Sequence, residues 1–266
     1  MAQTAARTPG RPEPGDGFVQ SFARGLDVIR SFGADAPAQT LSEVATRSGL
    51  TRAGARRILL TLQHLGYVET DGRLYHLTAR ILDLGYAYLS SMPMWDLAQP
   101  VMERLSEQTG ESCSVAVLDG SDIVYVMRVY THKIVSLNLS VGTRLPAYCT
   151  SMGRLLLSAL PEEEALARLR VAPLPARTRQ TCTEVDAVMA RVRQVRQQGW
   201  AMVNEELEEG LISLAAPVRD RQGRVIAALN VSGQTRRTSA AVMRENVLPV
   251  LQTAADEVSL LLRNRG

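Results

Sequence analysis

The sequence predicts an α+β fold in which a small helical module precedes a larger domain of strands and helices. Two helices and a hairpin follow one another over residues 40–77, apolar residues change from helical spacing to alternation after Gly110, and 266 residues suffice for two modest cores. The predicted parts are a disordered tail over residues 1–17, a winged helix-turn-helix over 18–77, linker helices over 78–110, and a second domain with a mainly antiparallel sheet over 111–266.

Two helices separated by a tight turn are predicted between residues 40 and 66. Thr40 is a good N-cap for the first helix and Thr51 for the second, because a threonine hydroxyl accepts a hydrogen bond from a free N–H of the first turn. Gly49 in the turn and Gly66 after the second helix can adopt the positive φ that ends a helix. The apolar face of the second helix comprises Ala55, Ile58, Leu59, Leu62 and Leu65.

A helix and a hairpin complete this module. Residues 67–75 predict a two-stranded wing around the turn at Asp71 and Gly72. Residues 18–32 predict an amphipathic helix that closes the core. The core-facing residues predicted for that helix are Phe22, Leu26, Ile29 and Phe32.

The face of the second helix that lies opposite its apolar stripe predicts contact with DNA. Arginine is the commonest reader of guanine, and a recognition helix reads the major groove with its N-terminal residues. The hairpin adds a basic wing that can reach phosphate or the minor groove. The candidate DNA-contacting residues are Thr40, Thr51, Arg52, Ala53, Arg56, Arg57, Arg73 and Tyr75. The alternative is a three-helix module whose arginines only solvate a surface.

Composition narrows the class of protein. The formal net charge is +3, so the positive charge is local, as in a site-specific DNA-binding protein rather than a general condenser of nucleic acid. The three cysteines and three histidines show no C-x-x-C spacing and no cluster, so we predict no metal site, no disulfide framework and no cofactor. No apolar run of about 18 residues and no signal core occur, so we expect a cytoplasmic protein without a membrane partner.

The linker predicts two helices and a contact between subunits. Thr78 can cap a helix over residues 79–89 that is apolar on more than one side. A helix of this kind is buried on several sides, which favours a homodimer contact; packing against its own wing is the alternative. A second helix over residues 95–110 contains Pro100, which would kink the helix or restart it.

The second domain is predicted to be mixed. Strands are predicted over residues 112–118, 123–130, 134–140, 201–204, 212–219 and 224–232, because β-branched residues alternate there between turn signals. A helix over residues 183–198 is predicted to begin with a capping box formed by Thr183 and Asp186. The last helix is predicted to run from Thr238 to about Leu262, bent or restarted near Pro249.

A ligand site is predicted where a loop runs into the helix that begins near Ser151. The free N–H groups and the positive dipole end of such a helix attract a carboxylate. Thr150 and Ser151 would donate from hydroxyls, and Met152 and Gly153 from backbone amides. The alternative is that Thr150 or Ser151 merely caps its own helix.

Two further polar insertions support a ligand site. Asn204 follows a strand, while Asn230 and Ser232 point to one face of the last strand. If that face is interior, the buried amide needs a partner, which a ligand could supply. The acidic run of Glu205, Glu206, Glu208 and Glu209 is interpreted as mostly a solvated loop rather than a metal site.

The segments LSEVATRSGLTRAGARRILLTLQHLGYV, LPAYCTSMGRLLLSAL, NEELEEGLISLAAPV and ALNVSG resemble the IclR family of bacterial transcription regulators. The resemblance implies a second domain of GAF-like topology and a dimer, often assembled further to a tetramer, on repeated operator half-sites. FVQSFARGLDVIRSF and the segment from LGYAYLSS to WDLAQP resemble more narrowly the PcaR/PcaU/PobR group. That group implies control of aromatic-compound catabolism genes by protocatechuate, 4-hydroxybenzoate or β-ketoadipate.

The resemblance also implies which residues contact the effector. Family contacts carry over to the loop-helix junction, to Ser213 and to the closing strand, while Asn204 and Asn230 depart from the pattern of the best-studied branch. The full candidate set for effector binding is Thr150, Ser151, Met152, Gly153, Asn204, Ser213, Asn230 and Ser232.

Three functions are weighed on these residues. The first is a transcription regulator that binds double-stranded operator DNA and a small organic acid, and that would also contact RNA polymerase if it activates. The second is a structural DNA-binding dimer without an effector. The third is an enzyme using Cys149 beside a helix N-terminus, although no histidine lies near it and no G-x-S-x-G elbow or H-E-x-x-H motif occurs. The sequence favours the first and leaves activation or repression open.

Overall fold

The computed structural model describes residues 15–90, 94–131 and 139–263. The chain divides into two compact units with a boundary between Met92 and Pro93. That boundary falls within the predicted linker, so its first helix belongs to the first unit and its second helix to the second. The predicted disordered tail lies, for residues 1–14, outside the described residues.

The first unit is helical with a small antiparallel sheet. Its elements are α1 Gln20–Arg30, β1 Ala38–Thr40, α2 Leu41–Arg47, α3 Arg52–His64, β2 Val68–Thr70, β3 Leu74–Leu77, a 3-10 turn Ala79–Ile81 and α4 Leu82–Ser90. The sheet order is β1-β3-β2, so the predicted two-stranded wing has a third strand. No pattern of residues indicates β1, because this strand has only three residues and its last residue, Thr40, is the N-cap of α2.

The caps predicted for the two helices of the helix-turn-helix are confirmed. The Glu43 N–H donates to Thr40 Oγ1 at 3.3 Å and the Thr40 N–H donates to Glu43 Oε2 at 2.7 Å, which is a capping box. Thr51 Oγ1 accepts from the Gly54 N–H at 3.1 Å. Gly66, with φ of 79°, ends α3 as predicted.

Two core assignments of the first unit are wrong. Phe22 is 70% exposed and Leu65 is 47% exposed. Helix α1 packs with its C-terminal half, where Val28 is buried, and Leu65 is the C-cap residue, at which α3 has already ended. The core comprises Val28, Phe32, Val44, Ala45, Ala55, Leu59, Leu62 and Val68.

The second unit is built on one antiparallel sheet. Its elements are α5 Met94–Thr109, β4 Ser112–Asp119, β5 Asp122–Val129, β6 Arg144–Pro146, a 3-10 turn Ala147–Cys149, α6 Ser151–Ser158, α7 Glu162–Leu169, α8 Val185–Gln198, β7 Ala201–Asn204, β8 Leu211–Arg219, β9 Val225–Gln234, α9 Ala240–Val242, a π turn Met243–Val247 and α10 Leu248–Arg263. The strand order is β6-β5-β4-β9-β8-β7, so the predicted α+β class with a mainly antiparallel sheet is confirmed.

The structure corrects three local predictions. Helix α8 begins only after Glu184, which makes no side-chain cap, so the predicted box of Thr183 and Asp186 is wrong. Ser239 rather than Thr238 caps the last helical segment, accepting from the Val242 N–H at 3.3 Å. Helix α5 is continuous through Pro100, so it does not restart there.

Two further predictions concern the sheet edge and the last helix. Most of the strand predicted over 134–140 lies outside the described residues, and the edge strand β6 occurs in a segment predicted as loop. The bend or restart predicted near Pro249 falls beside a π turn that ends at Val247, immediately before α10. Proline has no N–H to donate, so a local change of helix type there is expected.

Candidate functional site

The N-terminal half of α3 presents cations to solvent. Arg52, Ala53, Arg56 and Arg57 are all exposed, while Ala55, Leu59 and Leu62 on the other side enter the core. Within the described residues no ion pair engages these three arginines, in contrast to Arg47, which binds Asp35 at 2.6 Å. The surface can therefore accept a polyanion without breaking internal pairs.

The other candidate DNA contacts differ in their surroundings. Thr40 and Thr51 both use their hydroxyls as helix caps. Arg73 is exposed at the tip of the wing, directly after Gly72. Tyr75 is partly buried and packs against the core of the first unit, so its ring has a structural role.

The second unit encloses a small cavity between α6 and the sheet. Its volume is about 20 Å³, room for about one water molecule. The cavity, called here the inner cavity, is lined by Tyr125, Arg128, Leu139, Cys149, Thr150, Ser151, Met152, Val203, Leu207, Leu211, Ser213, Asn230 and Ser232. Every predicted effector residue except Gly153 and Asn204 is in this lining.

Gly153 and Asn204 have other positions. A Cβ at Gly153 would lie 2.2 Å from Ala147 Cα, so the glycine lets α6 pack against the preceding turn. Its N–H already donates to Thr150 Oγ1 at 3.2 Å and is not free for a ligand. Asn204 is exposed at the end of β7, and Val203 beside it lines the cavity. The alternation of a strand places these neighbours on opposite faces.

The two hydroxyls at the start of α6 differ in function. Thr150 donates to the Pro146 carbonyl at 3.0 Å and accepts from the Gly153 N–H, so it caps its own helix, as the alternative interpretation held. Ser151 accepts from Ser213 Oγ at 2.9 Å, and both serines are buried against the cavity. This pair joins α6 to β8.

Arg128 is a cavity residue that the sequence interpretation missed. It lies on β5 opposite Ser114, donates from Nη1 to Ser114 Oγ at 3.2 Å, and sits over the Tyr130 ring at 5.0 Å from the centroid. Its Nε is buried without a hydrogen-bond partner, and no carboxylate pairs with the guanidinium among the described residues. The available signal was a single positive charge within the alternating strand DIVYVMRV.

Asn230 adds an unmatched acceptor near that cation. Its Nδ2 donates to Ser232 Oγ at 3.0 Å, but Oδ1 is buried and has no partner in the described part of the chain. In the sheet register Ser114 pairs with Asn230, and Ser232 with Ser213. A row of polar side chains thus crosses the sheet and ends at Ser151 on α6, with about 4.8 Å between neighbouring strands. Its members on the sheet are Arg128, Ser114, Asn230, Ser232 and Ser213. We call this row the polar belt.

The acidic run after β7 is not a solvated loop throughout. Glu206 is 3% exposed and receives two hydrogen bonds from Arg154, from Nη1 to Oε1 at 2.6 Å and from Nη2 to Oε2 at 2.5 Å. The partner lies 52 residues away, so no local pattern indicates the pair. A buried carboxylate requires such a partner.

The chemistry of the cavity is that of binding. Burial raises the pKa of the Cys149 thiol to about 11, so it is protonated at neutral pH and is a poor nucleophile. Across the described residues, no group of three or more His, Cys, Asp or Glu side chains could hold a metal ion. Of the helices described, none has the length and apolar character needed to cross a membrane.

An exposed helix-turn-helix followed by a domain with an enclosed polar cavity defines the class of transcription regulators with a separate C-terminal domain. The chain matches the model of the IclR helix-turn-helix domain over residues 21–72 and that of the bacterial transcriptional regulator IclR C-terminal domain over residues 86–260. The chain belongs to the IclR family and is a DNA-binding transcription regulator.

Similarity to known regulators supports placing this chain in the PcaR/PcaU/PobR group. The Pca regulon regulatory protein of Pseudomonas putida is 44% identical over 91% of this chain and 83% of that protein. The p-hydroxybenzoate hydroxylase transcriptional activator of Acinetobacter baylyi is 36% identical over 92% of each. The structure of an IclR homologue from Microbacterium hydrocarbonoxydans complexed with 4-hydroxybenzoate is 27% identical, covers 91% of this chain and 99% of that one, and has a TM-score of 0.78.

Proposed function

We propose that this protein regulates genes of aromatic-compound catabolism and that a small aromatic acid, bound in the inner cavity, controls its action on DNA. The observation that carries the proposal is Arg128, a cation without a carboxylate partner in the described residues, beside the unmatched Oδ1 of Asn230. The relatives named for p-hydroxybenzoate hydroxylase and for a 4-hydroxybenzoate complex support the ligand class.

The carboxylate of the effector binds Arg128 in this proposal. Guanidinium and carboxylate form paired, charge-assisted hydrogen bonds, each worth roughly 1.5–3 kcal/mol. The orientation is the reverse of the one predicted from the sequence, because Thr150 and the Gly153 amide at the start of α6 already bind each other. Asn230 and Ser232 lie between the two ends of the polar belt.

The opposite end of the effector carries a hydroxyl. Ser151 and Ser213 offer a hydroxyl pair to it across the belt, and Met152 and Leu207 flank the ring. A site with buried hydrogen-bonding groups rejects an analogue that leaves them unpaired. Among aromatic acids, 4-hydroxybenzoate and protocatechuate fit this arrangement better than benzoate.

Binding requires the cavity to open. About 20 Å³ is far below the roughly 300 Å³ or more of typical ligand pockets. Entry of a ring must therefore displace α6 or the segment that carries Leu207 and Leu211. A ligand that binds one conformation better than another shifts the population, which is the requirement for control of the DNA-binding modules.

The DNA-binding surface is proposed to be the exposed start of α3 together with the wing. Arg52 and Arg56 read base edges in the major groove, and Arg57 and Arg73 contact phosphate. Ala53 permits close approach, and the caps Thr40 and Thr51 present helix N-termini to the backbone.

A homodimer is proposed through α4. Leu82 and Tyr86 are each 69% exposed, and Leu84 and Tyr88 are also exposed. A closed two-fold dimer would cover this surface and match inverted half-sites. A strictly monomeric chain in sedimentation that still binds its operator fully would contradict the contact. Assembly to a tetramer, and a contact with RNA polymerase in an activator, belong to the same proposal.

The decisive experiment is calorimetric titration of 4-hydroxybenzoate into the wild type and Arg128→Gln. The variant should bind ten- to a hundredfold more weakly, since it loses at least one charge-assisted hydrogen bond. Arg144→Gln is the matched control, because Arg144 is exposed on β6 and pairs with Asp119 outside the cavity. Equal affinities in wild type and Arg128→Gln would remove Arg128 from the site.

A thermal-shift series separates the alternatives. A regulator with a small-acid effector melts at higher temperature when its effector is added, and a shift with 4-hydroxybenzoate or protocatechuate rather than with the aliphatic β-ketoadipate would identify that effector as aromatic. A structural DNA-binding dimer without an effector melts at the same temperature with each of them.

A further inference from the structure

Glu206 is the centre of a buried network in the second unit. Besides the two bonds from Arg154, its carboxylate accepts from the Cys182 N–H and from Arg191 Nη1, each at 3.1 Å. Arg154 Nε in turn donates to the Tyr148 carbonyl at 2.8 Å. Both members of the pair are almost fully buried, at 2% and 3% exposure. Each charged group of this network has a hydrogen-bond partner, and a buried network that is satisfied in this way favours one arrangement of its side chains.

The residues of this network do not line the inner cavity, but the network joins two of the cavity's walls. Arg154 is one turn after Ser151 on α6, whose first turn faces the cavity. Glu206 directly precedes Leu207, which lines the opposite wall. The bidentate pair therefore fixes the separation of Ser151 and Leu207.

The segment around Glu206 is held at further points. We call Glu205–Gly210 the Glu206 loop. Thr178 Oγ1 donates to the Glu205 carbonyl and Thr181 Oγ1 to the Glu206 carbonyl, both at 2.6 Å. Glu205 has φ of 56°, a left-handed conformation that a side-chain-bearing residue adopts at a cost. The surrounding bonds impose this conformation.

A buried ion pair is weak evidence for a role in stability. Replacing such a pair by apolar residues of similar volume is often neutral or stabilising, whereas removing one partner is strongly destabilising. A bidentate pair has a defined geometry, because its two parallel N–H···O bonds fix how the guanidinium and the carboxylate lie relative to each other. Here that geometry relates two walls of the inner cavity.

We propose that Arg154 and Glu206 are positioning residues that set the size of effector the inner cavity accepts. This inference rests on the proposed function. The pair holds α6 and the Glu206 loop at a spacing that admits one aromatic ring after a small opening. Without the pair the walls separate more easily, and larger acids bind.

The test compares 4-hydroxybenzoate with the larger acid 6-hydroxy-2-naphthoate by calorimetry. The measured quantity is the ratio of the two dissociation constants, because a general loss of stability weakens both ligands alike. Glu206→Gln should lower this preference for the smaller acid at least tenfold. Glu162→Gln is the matched control and should leave it within twofold, since Glu162 pairs with Arg193 at an exposed site outside the cavity.

A double variant separates positioning from stability. Arg154→Met with Glu206→Met removes both charges and should restore the melting temperature lost in Glu206→Gln, but not the preference. A double variant that folds and keeps the wild-type preference would overturn the proposal. If neither variant folds, Arg191→Gln, which loses a half-exposed partner and leaves the buried pair, should lower the preference about threefold, and an unchanged ratio would be contrary to the inference.

The wild type by itself tests the underlying function. If it binds neither acid, the proposed effector class fails. If it binds 4-hydroxybenzoate and the variants keep its selectivity, only the positioning role fails.

Discussion

Arg154 and Arg128 belong to the same unit, but they differ in burial and in hydrogen-bond partners. Arg154 is almost fully buried, and each of its three guanidinium nitrogens donates a hydrogen bond, to Glu206 or to the Tyr148 carbonyl. Arg128 is partly buried, has Ser114 as its hydrogen-bond partner, and keeps Nε unmatched. A buried cation paired with a carboxylate holds the elements around it together, whereas a cation without a carboxylate partner beside a cavity is a candidate to bind an anion there.

The two arginines should differ most in their effect on the free energy of unfolding. Arg154→Met leaves the Glu206 carboxylate buried without its main partner and should lower the free energy of unfolding by about 3–5 kcal/mol. Arg128→Met removes a cation that lacks a counter-ion and should change it by less than about 1 kcal/mol. Urea unfolding followed by tryptophan fluorescence measures this, since Trp95 and Trp200 both belong to the second unit. Equal losses of unfolding free energy in the two variants would show that the two arginines do not differ in this way.

The arginines of α3 extend the comparison to the first unit. They also lack carboxylate partners among the described residues, but they are exposed, which suits a polyanion rather than a small acid. Arg52→Ala or Arg56→Ala should cost about 1–3 kcal/mol at one operator position if the side chain reads a base. A phosphate contact would instead weaken all sequences alike and reduce the salt dependence.

Gel-shift titration at two salt concentrations tells the two contacts apart. Arg47→Ala is the control, because Arg47 is engaged by Asp35. Unchanged operator affinity in both α3 variants would show that the recognition helix is misassigned.

The smallest expected effect concerns acid stability of the first unit. A hydrogen bond from the Thr40 N–H, helped by the Thr40 hydroxyl, holds the pKa of the Glu43 carboxyl below its usual 4.5. A depressed pKa contributes stability that is present above the unfolded value and is lost as pH falls through the folded value. Glu43→Gln should therefore be less stable than wild type near neutral pH, and the difference should shrink below about pH 4.5. A difference that does not depend on pH would assign the effect to shape rather than charge.

Local features of this fold could be predicted from the sequence because their causes lie within a few residues. Thr40, Thr51 and Gly66 act on the helix next to them. Where the cause was distant, prediction failed. Arg154 and Glu206 are 52 residues apart, and β1 becomes a strand only through pairing with β3.

The candidate site shows the same limit. The position of Ser151, Ser213, Asn230 and Ser232 on one cavity was accessible, since strand alternation and the family resemblance both indicate it. The unmatched state of Arg128 was not accessible, because whether a charge on a strand has a partner is decided by the neighbouring strands. For this reason the carboxylate of the proposed effector is placed at Arg128 and not at the start of α6, as predicted from the sequence.

If the effector binds in the inner cavity, as we propose, the small volume of that cavity also limits how quickly the protein responds to a change in effector concentration. Because about 20 Å³ cannot contain an aromatic ring, each binding event waits for the walls to part. At high concentration the observed rate then stops rising and equals the rate of opening. Under this proposal the delay before a response depends on how fast α6 and the Glu206 loop move apart. A further rise in effector concentration does not shorten it.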